Sequence, residues 1–587
     1  MTVKQEHLKK MILDQNPTNE QKEAIFAQEL EFLLRAAPGS GKTWTSCRRF
    51  IWRGAKWPYI SGGLALLSFT NAAIREFYEA TRKVGRRDLL SDPNFVGTFD
   101  SFVERFIITP FGHLIAGSPK RPKLFSSPLP GHWSNKKLQG WIQMSGGRKR
   151  PVPAWDIIPY PKNGKLAFKA SNIQRSHEII SNGFGAVKEF IKMGMYTHEQ
   201  RVFWSCYLLL KRPHIAKVLS NRFPEIIVDE AQDSNIWILF FLQLLRNKGT
   251  KITLIGDPDQ CIYEFSLADA SSLQEVKNEW RIPEKPLSKS FRCNNQIAAA
   301  VRHIGGNLNF GGYGDCALGQ KYPLIYRESS KRFDRCINEF KTALYQLGID
   351  ERESAIICRG HSQLNSIYGE VTYTQLQGAT KKLAEASFLR DIKKNYKKAY
   401  QMVEEVIRLL VGEIQLWDLI DHSPDCHEAL QARILLWRFV KSKEGLPSVA
   451  LSGNEWISRI RQNINDLVSE LGFGPIDRIG NKIKRTGLST QQFQLPLLIE
   501  QALFPTIRQE TIHQVKGESI DAVLVLGSAQ FWDSVVKSVY NDENTEDRRL
   551  AYVAMTRARH FLAIGIPGSH FDKYFSKWEE WGFEIIR

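Results

Sequence analysis

The sequence predicts an α/β protein in which parallel strands alternate with helices, and three observations favour this fold class. A glycine-rich octet, residues 36–43, lies between a short apolar run and a helical segment. Further apolar runs end in polar or aromatic residues, as the strands of a parallel sheet do where they lead into ligand-binding loops. Two long interruptions of this alternation indicate two domains, each with an inserted subdomain, and we expect both insertions to be mostly helical.

The composition indicates a globular protein that contacts polyanions. Its 587 residues predict three or four domains. The net charge of +18 favours nucleic acid as a partner, and a basic surface without a partner is the plainer alternative. The eight cysteines lack metal-ligand spacing, so we expect neither a structural metal nor an iron–sulfur cluster. Reduced thiols and the lack of a signal or membrane segment predict a cytoplasmic protein without membrane contact.

The octet is typical of a phosphate-binding loop and consists of Ala36, Ala37, Pro38, Gly39, Ser40, Gly41, Lys42 and Thr43. Its glycines allow backbone N–H groups to point at phosphate oxygens, and the helix N-terminus that follows adds partial positive charge. Lys42 can reach the β- and γ-phosphates, and the Thr43 hydroxyl can bind Mg²⁺. Gln21 is a candidate reader of adenine because an amide both donates and accepts hydrogen bonds. For the octet alone, a chance glycine–serine turn is the alternative.

Two apolar runs, residues 64–70 and 94–102, predict the next parallel strands. Each run ends in aromatic and polar residues, at the edge where α/β sheets place their ligands. Phe69 and Phe99 are therefore candidate base-stacking platforms, each worth roughly 1–3 kcal/mol per base. The alternative is that either ring belongs to the core.

A later pair of strands, residues 224–228 and 251–257, leads into acidic and amide side chains. Asp229 is suited to hold Mg²⁺ through water, and Glu230 is suited to orient and deprotonate an attacking water. Gln260, after the second of these strands, is a candidate sensor of the γ-phosphate. These types of side chain, together with the phosphate-binding loop, predict hydrolysis of a nucleoside triphosphate.

Two segments predict the inserted subdomains. In the first, residues 104–205, basic residues and tryptophans are interleaved, which suits a strand of nucleic acid; basic side chains over buried tryptophans would give the same pattern. The second, residues 362–505, has an apolar face at helical spacing that ends at Gly412 and comprises Ala399, Met402, Val403, Val406, Ile407 and Leu410.

The remaining segments form the two parallel-sheet domains. The first domain comprises residues 1–103 and 206–288, and the second comprises residues 289–361 and 506–587. A helix is expected to contain residues 548–559. Strands of the second domain are expected at residues 323–326, 354–358, 522–526 and 561–566.

The order of these motifs resembles the UvrD/Rep-type branch of superfamily 1 DNA helicases over nearly the whole chain. Residues 260–263 together with 553–558 are specific to that branch, whereas many nucleotide hydrolases share the phosphate-binding loop. The resemblance implies two RecA-like domains, each with an insertion. The blocks that carry it are Gln21, residues 36–43, 68–71 with Glu76, 97–102, 229–233, 256–263, 290–292, 511–517 and 550–559.

The resemblance also implies a role for individual residues, with ATP and Mg²⁺ as cofactors. Gln21 and Phe291 would bind adenine, Glu230 would be the catalytic base, and Gln260 would couple the γ-phosphate to DNA. Arg292 and Arg557 would reach across from the second domain as arginine fingers, which raise the rate of phosphoryl transfer by roughly 10³–10⁵. The implied DNA contacts are Phe69, Asn71, Thr98, Phe99, Tyr263, Phe265, Thr511 and His513.

The activity implied by this resemblance is ATP-dependent translocation on single-stranded DNA in the 3′–5′ direction, with unwinding of tailed duplex DNA and closure of an interdomain cleft. Its setting would be repair, replication or anti-phage defence. Four positions depart from the family pattern: Trp44, Asp100, Ser266 and Glu518.

Two other hypotheses remain open. The first is a nucleotide-dependent sensor of DNA structure that controls a partner nuclease. Resemblance to the helicase subunit of the Gabija defence system, and an expected end of the chain without a nuclease block, favour this alternative. The second is an enzyme directed at RNA.

Overall fold

The computed structural model describes most of the chain, namely residues 3–59, 61–117, 121–125, 136–144, 147–162, 164–171, 178–262, 272–306, 309–314, 323–328, 333–360, 363, 378–391, 394–412, 416–417, 420, 427–485 and 507–586. The chain divides into two units. The first comprises Met1–Ser329, Arg335–Arg359 and Thr511–Arg587, and the second comprises Ser330–Asp334 and Gly360–Glu510.

The first unit contains a six-stranded sheet in which every neighbouring pair is parallel. Its strands are β1 (Leu33–Ala36), β2 (Leu64–Ser68), β3 (Phe95–Thr98), β4 (Glu225–Val228), β5 (Lys251–Gly256) and β6 (Glu284–Leu287). Their order is β6–β1–β5–β4–β2–β3. Because β1, β5 and β4 are neighbours, the loops that follow these three strands meet at one edge of the sheet.

Both faces of this sheet are buried. Leu33 and Val228 belong to one hydrophobic cluster, and Leu34 and Ile227 belong to another. Neighbouring residues of a strand point to opposite faces, so a strand covered on both sides has a continuous apolar sequence. This explains why the strands were recognisable as apolar runs.

Helices cover the parallel sheets of the first unit. The helix Asn19–Phe26 begins with a capping box, in which the Thr18 side chain accepts a hydrogen bond from the Gln21 N–H and the Gln21 side chain accepts one from the Thr18 N–H. The other helices of this unit, the first insertion excepted, are Val3–Leu13, Lys42–Ala55, Asn71–Lys83, Phe99–Val103, Pro213–Arg222, Ile236–Arg246, Ser272–Trp280, Asn295–Gly305, Asp334–Leu347, Ala529–Tyr540, Glu546–Met555 and Gly568–Glu580.

The first insertion differs from the expected, mostly helical subdomain. Its described part combines the helices Thr109–Ala116, Gly183–Lys192 and His198–Lys211 with a π-helical turn at Glu104–Ile108 and several strands. Antiparallel pairs join Gln139–Gln143 to Lys149–Pro153 and to Ile179–Ser181, and join Ile157–Lys162 to Lys165–Ala170; a short parallel pair joins Lys123–Leu124 to Met195–Tyr196. Burial alternates in the hairpin, where Ile157 and Pro159 are buried and Ile158 and Tyr160 are partly exposed. Prolines and lysines obscure this two-residue period in the sequence.

A second parallel sheet also lies in the first unit. Its strands are β7 (Leu324–Glu328), β8 (Ser354–Cys358), β9 (Ile520–Leu526), β10 (Ala558–Pro567) and β11 (Glu584–Ile586), in the order β8–β9–β10–β7–β11. A strand at Arg508–Thr511 leads from the second unit into the first. The two parallel sheets confirm the predicted fold class.

Two element boundaries differ from the sequence prediction. The strand expected at residues 94–102 ends at Thr98, whose hydroxyl caps the helix Phe99–Val103. The helix expected to contain residues 548–559 ends at Met555, because Ala558 already pairs with Ile520 in the second sheet.

The second unit is helical in its described part. Its helices are Gly378–Asp391, Tyr396–Val411, His427–Lys441, Gly453–Glu470 and Ile479–Lys482. Of the predicted apolar face, Met402 is only partly buried and the other five residues are buried. Gly412, with a φ of +85°, follows the end of this helix as expected. Across the described ranges of both units, no helix is long and apolar enough to cross a membrane.

Candidate active site

The loop after β1 has the backbone of a phosphate-binding loop. Gly39 and Gly41 have φ angles of +70° and +79°, which favour glycine. A Cβ atom on Gly39 would lie 2.5 Å from the Cβ of Arg292, and the Phe291 N–H donates to the Gly39 carbonyl at 2.7 Å. The loop therefore contacts the predicted second-domain motif directly. Ala36 lies at the end of β1 without a positive φ, so a small residue suffices there.

Gln21 lies against the same loop and is only 4 % exposed. Its Nε2 donates to the Ser40 carbonyl at 3.1 Å, and its Oε1 accepts from the Thr18 N–H at 3.0 Å. Each of these groups retains the capacity for one more hydrogen bond. Phe291 is 48 % exposed, as a ring that stacks on a base would need to be. Trp44, in the next helix, is stacked by Arg48 at 4.2 Å.

A buried carboxylate lies beside the first turn of the helix Lys42–Ala55. Asp229 Oδ2 accepts a hydrogen bond from the Thr43 hydroxyl at 3.1 Å, while its Oδ1 is buried without a hydrogen-bond partner among the described residues. Burial and the nearby Glu230 charge raise the pKa of Asp229. A hydroxyl and a carboxylate oxygen left without a donor fit Mg²⁺, which binds few protein oxygens and keeps waters and substrate phosphates.

Glu230 has the surroundings of an ionised carboxylate. Gln232 Nε2 donates to its Oε2 at 2.6 Å, and Lys42 Nζ lies 3.9 Å from the same oxygen. Burial opposes ionisation, but Lys42 and the Gln232 hydrogen bond outweigh it and lower the pKa of Glu230. The residue has a φ of +55°, an uncommon conformation for a non-glycine residue. The arrangement provides a proton acceptor close to the phosphate-binding lysine.

Two arginines reach this edge from the side of the second sheet. Arg557 donates to Gln260 Oε1 at 3.1 Å, and Gln260 Nε2 donates to Asp257 at 2.6 Å, so one amide links the two sheets. Burial and the nearby Arg292 lower the pKa of Arg557 to about 9. Arg292 donates to the Ser519 hydroxyl at 2.8 Å and to the Thr556 carbonyl at 3.3 Å. Among the residues that the structure describes, the hydrogen-bond partners of the two guanidinium groups are all neutral.

Several residues predicted to contact DNA are engaged within the protein. Phe99 is 2 % exposed and packs on Phe241 at 5.6 Å, so its ring belongs to the core and does not offer a stacking surface. The ring of the half-buried Phe69 is nearly parallel to that of Phe99, and the two ring centroids are 6.4 Å apart. The Thr98 hydroxyl accepts from the Ser101 N–H as a helix cap.

Thr511 and His513 are also engaged within the protein. Thr511 is buried and donates to Gln514 through both its N–H and its hydroxyl at 2.8 Å, and His513 Nε2 lies 3.1 Å from the Ile262 carbonyl. The Thr511 contacts are local, whereas the His513 contact joins the segment after the strand Arg508–Thr511 to the segment after β5. Tyr263, Phe265 and the side chain of Asn71 lie outside the described residues.

The sequence prediction missed several residues of this site. The Gln232 side chain donates to the Glu230 carboxylate through Nε2, and its Oε1 accepts a hydrogen bond from the Asp257 N–H at 3.0 Å. Lys516 contacts Asp233 at 2.5 Å. The buried Arg549 donates to the Cys261 carbonyl at 2.7 Å. Gln232 and Lys516 lie in recognised motif blocks, and Arg549 directly precedes the block at residues 550–559. Lys516 and Arg549 each contact a residue that is far away in the sequence, so no local pattern indicated these two contacts.

A nucleotide loop on one parallel sheet, approached by arginines from a second, is the arrangement of a two-domain P-loop nucleotide hydrolase. Comparison with known proteins agrees with this class. Residues 17–124 and 166–281 match the family model of the UvrD/REP helicase N-terminal domain, and residues 381–567 match that of the UvrD-like helicase C-terminal domain.

Known relatives match over most of their length. DNA helicase II of Escherichia coli is 24% identical over 93% of this chain and 84% of its own sequence. The enzyme of the same name from Salmonella typhimurium has the same identity and coverage, and the ATP-dependent DNA helicase Rep of Buchnera aphidicola is 24% identical over 59% of this chain and 63% of its own. The chain belongs to the UvrD/Rep family of ATP-hydrolysing DNA helicases.

The two phenylalanines give a prediction that separates DNA contact from core packing. Replacing Phe99 with Ala should lower the free energy of unfolding by about 3–5 kcal/mol because a buried ring is lost. Replacing Phe69 with Ala should lower stability less than Phe99→Ala does, because the ring is only half-buried, and should weaken binding of single-stranded DNA by about 1–3 kcal/mol. Thermal unfolding and fluorescence anisotropy with labelled oligonucleotides measure the two effects. Unchanged DNA affinity in the Phe69→Ala variant would contradict its assignment as a stacking platform.

Proposed function

We propose that this protein translocates on single-stranded DNA in the 3′–5′ direction and unwinds tailed duplexes, with each step driven by ATP hydrolysis in a cleft between two RecA-like domains. The contact that carries the proposal is the hydrogen bond between Gln260 and Arg557, which links the γ-phosphate side of the first sheet to the second. The proposed first domain is residues 1–103 and 206–288, and the second is residues 289–361 and 506–587. The polarity and the pathway, repair or replication, rest on the family resemblance.

The proposed chemistry follows from the charges at the edge of the first sheet. Mg²⁺, held through Thr43 and Asp229, would supply charge neutralisation for the phosphates. Lys42 binds phosphate oxygens, and Glu230, held by Gln232 at 2.6 Å, accepts the proton of the attacking water. The adenine would lie between Gln21 and the exposed ring of Phe291.

Arg292 and Arg557 are the proposed arginine fingers. Arg557 is buried, Arg292 is partly buried, and their hydrogen-bond partners among the described residues are neutral, so an added phosphate charge would be stabilised beside them. Placing fingers on the second domain makes hydrolysis depend on how closely the two domains approach each other.

The distribution of charge supports DNA as the polyanion. Residues 104–205 contain 16 Lys and Arg against 5 Asp and Glu, so this segment carries +11 of the net +18. Lys149 and Arg150 are exposed on a strand at the edge of the antiparallel sheet. A basic strand of this kind suits backbone phosphates, although lysine on an edge strand also protects against aggregation.

A second candidate function is a sensor of DNA structure that binds nucleotide, hydrolyses it slowly and controls a partner nuclease, as in anti-phage defence. The observation that favours it is the engagement of Arg292 by the Ser519 hydroxyl and the Thr556 carbonyl, which holds this guanidinium on protein acceptors. A strand-displacement assay on tailed duplexes distinguishes the two functions. ATPase activity without displacement supports the sensor, and displacement by the protein alone supports the translocase.

The hydrolytic site can be tested with two variants. Lys42→Ala and Glu230→Gln should each lower kcat for DNA-stimulated ATP hydrolysis by about 10²–10⁴, because they remove a phosphate ligand and the general base. Binding of single-stranded DNA should persist. Asp572→Asn, which removes an exposed carboxylate paired with Arg327, is the matched control and should retain activity. Wild-type ATPase activity in both site variants would refute the proposed chemistry.

The role of the first insertion can be tested by salt dependence. The double variant Lys149→Ala/Arg150→Ala should reduce the slope of log K against log salt for single-stranded DNA by about 1.4 if both residues contact phosphates. Lys573→Ala/Lys577→Ala, on the helix Gly568–Glu580, removes the same charge elsewhere and is the control. Equal slopes for the two double variants would show that the insertion makes no specific phosphate contact through these residues.

A further inference from the structure

A buried ion pair joins the two parallel sheets immediately behind the candidate catalytic base. Lys516 Nζ lies 2.5 Å from Asp233 Oδ1, and the two side chains are only 11 % and 8 % exposed. Asp233 ends the acidic block that follows β4, whereas Lys516 follows the strand Arg508–Thr511. The pair therefore connects segments that are 283 residues apart in the sequence.

Burial makes this pair a poor source of net stability. Removing two charges from water carries a large desolvation cost, and attraction between them offsets this cost only with excellent geometry. The first unit offers a matched example, Arg53 and Glu225, whose side chains are 11 % and 6 % exposed and which lie wholly within the first domain. The difference between the two pairs is their position, because only the Lys516 pair crosses from one sheet to the other.

The short turn that contains Asp233 also contains the groups that orient Glu230. The Asp233 N–H donates to the Glu230 carbonyl at 2.9 Å and closes the turn Ala231–Asp233. Gln232, in the same turn, donates to the Glu230 carboxylate and accepts from the Asp257 N–H. The positive φ of Glu230 requires support from its surroundings, because a non-glycine residue is strained in this conformation. A force on Asp233 is therefore transmitted to Glu230 through one short turn.

We propose that Lys516 is a positioning residue: through Asp233, the second RecA-like domain holds the turn that aims Glu230 at the phosphate-binding loop. Water activation by Glu230 then requires the second domain to lie against the first, just as charge stabilisation by the two arginines does. The proposal rests on the proposed role of Glu230, and goes beyond it by giving the base a contact that is lost when the domains separate.

The test is a double-mutant cycle on steady-state ATP hydrolysis with saturating single-stranded DNA. Lys516→Met and Asp233→Asn should each lower kcat by about tenfold or more, with KM for ATP and the DNA Kd changed less than about twofold. The double variant should be no slower than the slower single variant, because the two residues act as one unit. Lys516→Arg, which keeps the charge, should recover at least half of the lost kcat on a logarithmic scale.

Thermal unfolding and the matched pair separate positioning from stability. Arg53→Met should lower the melting temperature while the folded protein keeps its kcat. Unchanged kcat in both Lys516→Met and Asp233→Asn, or losses that add independently in the double variant, would overturn the positioning role. Lack of DNA-stimulated ATPase activity in the wild type would instead overturn the proposed function, so the two failures are distinguishable.

Discussion

Parallel pairing of β1, β5 and β4 is the constraint on which the site depends. It brings the phosphate-binding loop, Asp229 and Gln260 to one edge although they come from three distant parts of the chain. Asp229 is fully buried there and receives one hydrogen bond from Thr43. A buried carboxylate with one oxygen unsatisfied is costly, and a cation relieves that cost. A bound metal–nucleotide complex would supply the cation that relieves this cost.

The seam between the two sheets is polar at the residues that matter for the site. Arg557 bonds to Gln260, Arg549 bonds to the Cys261 carbonyl, and Lys516 contacts Asp233. Each of these interactions can be exchanged for water, so separating the domains would cost less than exposing an apolar interface of equal area. Such a seam suits the proposed cycle, in which the two domains would approach and separate and Lys516 would couple the base to the second domain.

Local signals made the first half of the site predictable, and long-range contacts hid the rest. The positive φ of Gly39 and the helix cap at Thr18 are each determined by a few adjacent residues. In contrast, the end of the helix at Met555 depends on a strand pair with Ile520, and the burial of Phe99 depends on Phe241. The antiparallel strands of the first insertion were missed because short segments rich in proline and lysine resemble loops. No local pattern indicates a contact such as that between Lys516 and Asp233.

The charge state of the two arginines explains how nucleotide could change the seam. With a pKa of about 9, Arg557 is still protonated near neutral pH, yet its hydrogen-bond partners are all neutral oxygens. The partners of Arg292 are neutral as well. The buried Arg557 and the partly buried Arg292 have no anionic hydrogen-bond partner among the described residues and repel each other, and a phosphate between them would replace repulsion with charge-assisted hydrogen bonds. A phosphate that approached Arg557 would therefore act on the same guanidinium that bonds Gln260, which would connect nucleotide binding to the link between the sheets.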